Sequence, residues 1–200
     1  MLGAIKAGDA SKDGMTALHI RQMKSLGNAG IDALLAEVWG KVAESSEDAK
    51  KAIAKYAKLF KEAPLWAHNA GAGGEVFNRV CATCHALNGK GGGMGPDLAG
   101  SWRNGADYFV ESIVDPNAVI GEDFQLNIVT KKDGAIISGM FAGENADSVT
   151  IRTLAEPITI PKSEIKSRQV VEQSLMPPGL LDTLTKREVI DLLLFLTRPR

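Results

Sequence analysis

The chain has 200 residues, of which 44% are hydrophobic and 24% charged, close to the globular average. Lys plus Arg total 23 and Asp plus Glu 24, a net charge of −1 that argues against a general nucleic-acid binder. No run approaches the roughly 18 apolar residues of a membrane span, and a chain this long buries a core without disulfide staples.

The first residues, Met1 to Lys6, lack a charged segment followed by an apolar stretch, so they are not a signal peptide. Such a start fits a cytosolic protein, a mature chain or an excised piece of a longer one. Residues 14–63 read as helical. Ile31, Leu34, Leu35, Val38, Trp39 and Val42 fall on one helical face. Before them, Ala17, Leu18, Ile20, Met23 and Leu26 give a weaker helical pattern, broken off by Gly27-Asn28 and Gly30. Ser45-Ser46-Glu47-Asp48 is a helix start, a hydroxyl cap with acids in the first turn. The helix that follows carries Ile53, Tyr56, Leu59, Phe60 and Ala63 on one side and ends at Pro64. Its lysines, Lys51, Lys55 and Lys58, read as a solvated face, with an acidic docking partner as the sharper alternative. Three short helices suggest a fragment of a helical stack over 1–70, ending a longer array or packing on the next domain.

Residues 67–74 read as a glycine-rich loop or hinge. A helix then starts near Gly73 or Gly74 and carries Val76, Phe77 and Val80 into Cys81. Residues 106–114 read as a short helix stopped by Asp115-Pro116. Between 124 and 171 the period becomes two. Leu126, Ile128 and Thr130 alternate with polar residues, Asp133-Gly134 marks a hairpin turn, and Val149, Ile151 and Thr153 alternate again. This block is expected to form a small antiparallel sheet or partial barrel. Glu122, Asp123, Asp133, Glu144 and Asp147 read as turn and surface acids. Near the end, Thr185 with Glu188 forms a capping box ahead of an almost wholly apolar helix through Leu196.

Cys81-Ala82-Thr83-Cys84-His85 is the attachment pattern of c-type haem. Two thiols one helical turn apart reach the two vinyl groups on one porphyrin edge, and the adjacent imidazole falls beneath the iron. A zinc half-site would need further ligands, and only His19 and His68 remain, both upstream. A thioredoxin-like redox pair would need a βαβ context, whereas a helix precedes this motif.

The surroundings resemble a class I cytochrome c. Gly73 and Phe77 ahead of Cys81 are similar to that family's N-terminal helix, in which glycine admits the crossing C-terminal helix, here the one with Phe195. Gly95-Pro96-Asp97-Leu98 resembles the segment whose proline carbonyl orients the proximal imidazole. Trp102 and Arg103 lie where the family places residues near the haem propionates. Ser174-Leu175-Met176-Pro177-Pro178-Gly179-Leu180 resembles the loop that supplies a methionine as sixth ligand. Met94, close to His85, and Met140, in a strand pattern, are poorer candidates. His85 and Met176 lie 91 positions apart, and without the strand-rich block 122–170 the separation shortens to 42, ordinary for the family. The layout also resembles the C-terminal haem-binding domain of large secreted multidomain proteins of planctomycetes and verrucomicrobia. Cys81–His85, Gly95–Leu98, Ser112–Ile120 and Ser174–Leu180 carry that likeness.

The resemblance implies a mainly α fold with a β insertion: a helical segment over 1–70, then a class I cytochrome c domain over 71–200 interrupted by a small sheet at 122–170. It implies one haem c per chain, held by Cys81 and Cys84, with His85 and Met176 on the iron and Pro96, Trp102 and Arg103 around the group. The expected function is single-electron transfer, not enzymatic turnover. The implied partner is a redox protein or an upstream dehydrogenase domain, and the location periplasmic or otherwise exported. One alternative is a haem sensor or peroxidase-like enzyme with His68 as a distal group. Another is a partner-binding module whose main functional surface is the sheet.

Overall fold

The computed structural model describes residues 1–12, 15 and 17–199; Gly14, at the start of the expected helical stretch, lies outside them. Its helices are α1 (Leu2–Ala7), α2 (Ala17–Lys24), α3 (Ala29–Val38), α4 (Glu47–Lys61), α5 (Ala70–Val80), α6 (Gly105–Val114) and α7 (Lys186–Leu196). Its strands are β1 (Gly40–Val42), β2 (Ala86–Leu87), β3 (Lys90–Gly91), β4 (Val119–Gly121), β5 (Leu126–Lys131), β6 (Ile136–Glu144), β7 (Ser148–Arg152), β8 (Ile158–Pro161) and β9 (Ile165–Val171). Contacts divide the chain into a sheet unit, Met1–Ala43 with Asn117–Leu175, and a helical unit, Glu44–Pro116 with Met176–Arg200.

In the sheet unit, α1, α2 and α3 close over Leu2, Ile20, Leu35 and Val38. The Asn28 side chain starts α3 by accepting from the amides of Gly30 and Ile31. The helical pattern read through Val42 stops earlier, at Val38. Gly40 takes φ +118°, and a Cβ there would meet the Ile120 carbonyl oxygen at 2.8 Å. That backbone contact turns 40–42 into β1, antiparallel to β4 with Lys41 opposite Ile120. The first 43 residues and the strand-rich segment therefore share one unit. The sheet runs β8-β7-β6-β5-β9, antiparallel throughout, around buried Val129, Val149, Ile151 and Ile160.

In the helical unit, α5 and α7 cross at closest range. Gly73 faces the Asp191 carbonyl and the Phe195 Cβ so tightly that no side-chain carbon fits between them. The rings of Phe77 and Phe195 sit 5.6 Å apart beside the crossing. Val76, Phe109, Val110, Leu192 and Leu193 complete the core, and Tyr56 brings α4 into it. The boundary expected near residue 70 thus falls inside this unit. The Asn69 side chain accepts from the Gly71 amide, so α5 begins at Ala70 in spite of its glycines. At the start of α7 the Thr185–Glu188 capping box is present.

Replacing Gly73 with Ala would force a Cβ into the α7 backbone. We expect a loss of about 3 kcal/mol in guanidinium denaturation followed by circular dichroism. An unchanged midpoint would contradict the close crossing.

Candidate functional site

The site grows from the C-terminal end of α5. Cys81 caps the helix, its amide donating to the Phe77 carbonyl at 2.8 Å. The chain then turns on itself, with the amides of Cys84 and His85 both donating to the Cys81 carbonyl, at 3.1 and 2.9 Å. One short turn therefore carries both thiols and the imidazole. Cys81 packs against the core of the helical unit, and both cysteines are free thiols. Burial pushes the Cys81 thiol up to about 12, with the neighbouring Cys84 adding to the shift.

A hairpin holds this turn from below. Asn88 and Gly89 both take positive φ, 52° and 74°, the geometry of a two-residue turn between β2 and β3. Gly91 and Gly92 then press against the backbone oxygens of His85 and Thr83, leaving no room for side chains. The Gly95 amide donates to the Cys84 carbonyl at 2.7 Å, and Gly95 itself lies against the His85 ring. A Cβ at Gly95 would come to 2.5 Å from the ring's Cε1. Next in the chain, the Pro96 carbonyl lies 2.9 Å from His85 Nδ1. A carbonyl only accepts, so Nδ1 carries the proton and Nε2 keeps the lone pair that a metal requires.

The remaining expected site residues fall as follows. Met176 is half-buried and packs against the same core cluster as Cys81, Ala82 and Leu98. Trp102 and Arg103 sit together on a short 3-10 turn, with the guanidinium 4.5 Å from the indole centroid. Trp102 Nε1 is buried and has no hydrogen-bond acceptor among the described residues. Met94 is buried in the glycine-rich loop, and Met140 is buried in β6 of the sheet unit. The imidazole of His68 is 12% exposed, and its Nδ1 is 2.9 Å from Asp191 Oδ1, which also accepts from the Asn69 amide. Its ring thus ties the start of α5 to α7. Among the described residues, no three His, Cys, Asp or Glu side chains gather to hold a metal ion, so a zinc site made of protein ligands is not assembled there.

A family profile, cytochrome c oxidase, cbb3-type, subunit III, matches residues 68–122. The match supports a cytochrome c-like domain. With it comes support for haem binding and an electron-carrier role in this stretch. Among curated proteins, none matches the chain. Among the described residues, no helix is long and apolar enough to cross a membrane.

The sequence marks Asn88–Gly95 as a glycine-rich loop, but its reading passed over three contributors to the geometry. The Asn88-Gly89 turn was signalled by its dipeptide. The Asn69 cap was hidden among glycines. Tyr56 and Asp182, described below, are 126 positions apart and carry no local signal.

The raised Cys81 pKa gives a test with a defined sign. A thiol raised on folding contributes stability below its unfolded pKa, and that contribution is lost as pH climbs toward about 12. In folded protein before haem attachment, alkylation of Cys81 at about pH 9 should be roughly a thousandfold slower than in the urea-unfolded chain. Peptide mass spectrometry reads the rate, and equal rates in the two states would refute burial of the thiol.

Proposed function

We propose that the helical unit is a c-type cytochrome that carries single electrons through one covalently held haem. The observation that carries this reading is the His85 imidazole, fixed by Pro96 with Nε2 left as the metal-binding nitrogen, on the same turn as two free thiols. The buried indole N–H of half-buried Trp102, without a partner among the described residues, fits the group as well. A buried donor without an acceptor is costly, and a haem propionate would supply the acceptor.

In this reading Cys81 and Cys84 hold the haem through thioether bonds, and His85 is the proximal ligand. Pro96 sets the ring's orientation and raises its basicity. Met176 is the sixth ligand, which raises the reduction potential and suits accepting electrons from an upstream donor. Trp102 and Arg103 would supply donors to the haem's carboxylates. When bound, the haem supplies a one-electron iron couple. The rest of the chain keeps the ligands still and excludes water. The half-buried Cys81 and the buried core it packs against support that second task.

The protein is read as exported, because haem c is attached outside the cytoplasmic membrane. Its resemblance to the planctomycete and verrucomicrobial domain supports a place as the electron-accepting tail of a larger oxidoreductase. A redox protein or a dehydrogenase domain would be the donor. For the peroxidase-like alternative, the structure gives His68 a structural task, with its Nδ1 2.9 Å from Asp191 at the α5–α7 crossing.

A pyridine haemochrome spectrum of protein made with a haem-attachment system should show haem c. Cys81→Ala with Cys84→Ala should leave no pigment after acid–acetone extraction; retained covalent pigment would refute the attachment. Met176→Ala should keep the haem but lose the far-red band that a methionine–iron(III) bond gives. A surviving band would exclude Met176 as ligand.

A further inference from the structure

Tyr56 lies on α4, upstream of residues 68–122, the stretch matched by the cytochrome profile. It is 4% exposed, and its hydroxyl donates to Asp182 Oδ1. Lys55 Nζ adds bonds of 3.3 Å to the same oxygen and 3.2 Å to the phenol. Asp182 belongs to the short 3-10 turn Leu180–Thr183, whose Leu181 is 2% exposed in the core. This turn follows the Met176 loop directly.

The link between Met176 and Asp182 has little freedom. Pro177 and Pro178 fix their own φ, and Gly179 holds the left-handed conformation at φ +80°. The Asp182 amide closes the turn on the Gly179 carbonyl at 3.0 Å. Before Met176 the chain belongs to the other unit, as far back as Asn117. Within its own unit the loop rests on the packing of Met176 against the core and, on the C-terminal side, on Leu181 and Asp182.

We propose that Tyr56 and Asp182 are positioning residues that hold the Met176 loop against the helical unit. The inference rests on the reading of Met176 as the iron's sixth ligand. Leu181 supplies burial without direction, whereas the phenol–carboxylate bond fixes where the turn starts and how it is rotated. It is charge-assisted and therefore stronger than a neutral hydrogen bond. Tyr56, with Lys55, holds the Asp182 carboxyl below its usual range, so the bond keeps its ionised acceptor. The Lys55–Asp182 pair is exposed on both sides and contributes little alone.

The test uses the haem-loaded protein and the variants Tyr56→Phe and Asp182→Ala, each of which removes the bond. Two quantities are read during denaturant titration: the methionine–iron band and far-UV circular dichroism. The rate of CO binding to the ferrous protein is read separately. Each variant should lose the band at a denaturant concentration where the helices remain, and CO binding should quicken about tenfold, the size expected for losing one such bond. The double variant should be no worse than either single one. If band and circular dichroism are lost together and CO binding stays within about twofold of the parent, the pair only fastens α4 to the core and the inference fails. Met176→Ala serves as the reference. If the band survives in that variant, the ligand reading itself is wrong, and the inference falls with it for that separate reason.

Discussion

The helical unit depends on one contact, the approach of Gly73 in α5 to the Asp191 carbonyl in α7. Because nothing larger than hydrogen fits there, the two helices are locked at a single depth. Phe77 and Phe195 fill the flank of the crossing, and the buried Asp191 side chain gathers His68 and the Asn69 amide at its edge. The aspartate is thus used twice, with its backbone as a wall and its carboxylate as a clamp. Cys81 is the residue at which α5 ends. Fixing the crossing therefore fixes the point from which the Cys81–His85 turn departs.

From that point backbone packing does the rest. Glycines at 91, 92 and 95 let the returning loop lie directly on the oxygens of the turn and on the His85 ring. Such contact leaves the imidazole little choice of rotation, and the Pro96 carbonyl selects its tautomer. A ligand histidine needs both constraints, because a ring free to turn would present either nitrogen. The glycines of this loop have, at these positions, a steric cause.

What could be read from the sequence was what is encoded locally. The capping box of α7, the Asp133-Gly134 turn and the sequence-adjacent Cys81, Cys84 and His85 each depend on neighbours a few residues away. The misread features depended on partners far along the chain. Gly40 ends a helical pattern because β4 lies against it, 80 positions later. In β5 the alternation of Leu126, Ile128 and Thr130 suggested one buried face, yet Asn127 and Val129 are the buried pair, 1% and 0% exposed. Asn127 is tolerated inside because its amide donates to the Gln125 carbonyl and its oxygen accepts from Arg168. No periodicity rule anticipates a buried amide whose acceptor role is filled from β9. The same holds for Tyr56, which looked like one more apolar-face residue of α4 until Asp182 supplied its partner.

The long separation between His85 and Met176 has a physical resolution in the sheet unit. The excursion starts at Asn117 and ends at Leu175, and its two ends lie side by side. The Asn117 side chain accepts from the Ser174 amide at 2.9 Å, and Leu126 pairs with Val171 where β5 meets β9. A segment that folds on itself and returns its ends together behaves, for the rest of the chain, as a short connection. Loop-closure entropy grows only with the logarithm of length even for a flexible segment, and a folded one with adjacent ends avoids most of that cost. Lengthening the path to Met176 by a whole sheet therefore need not loosen the loop that carries it. The sheet unit's closing hydrogen bond at Asn117 lets a compact helical unit tolerate so large an interruption.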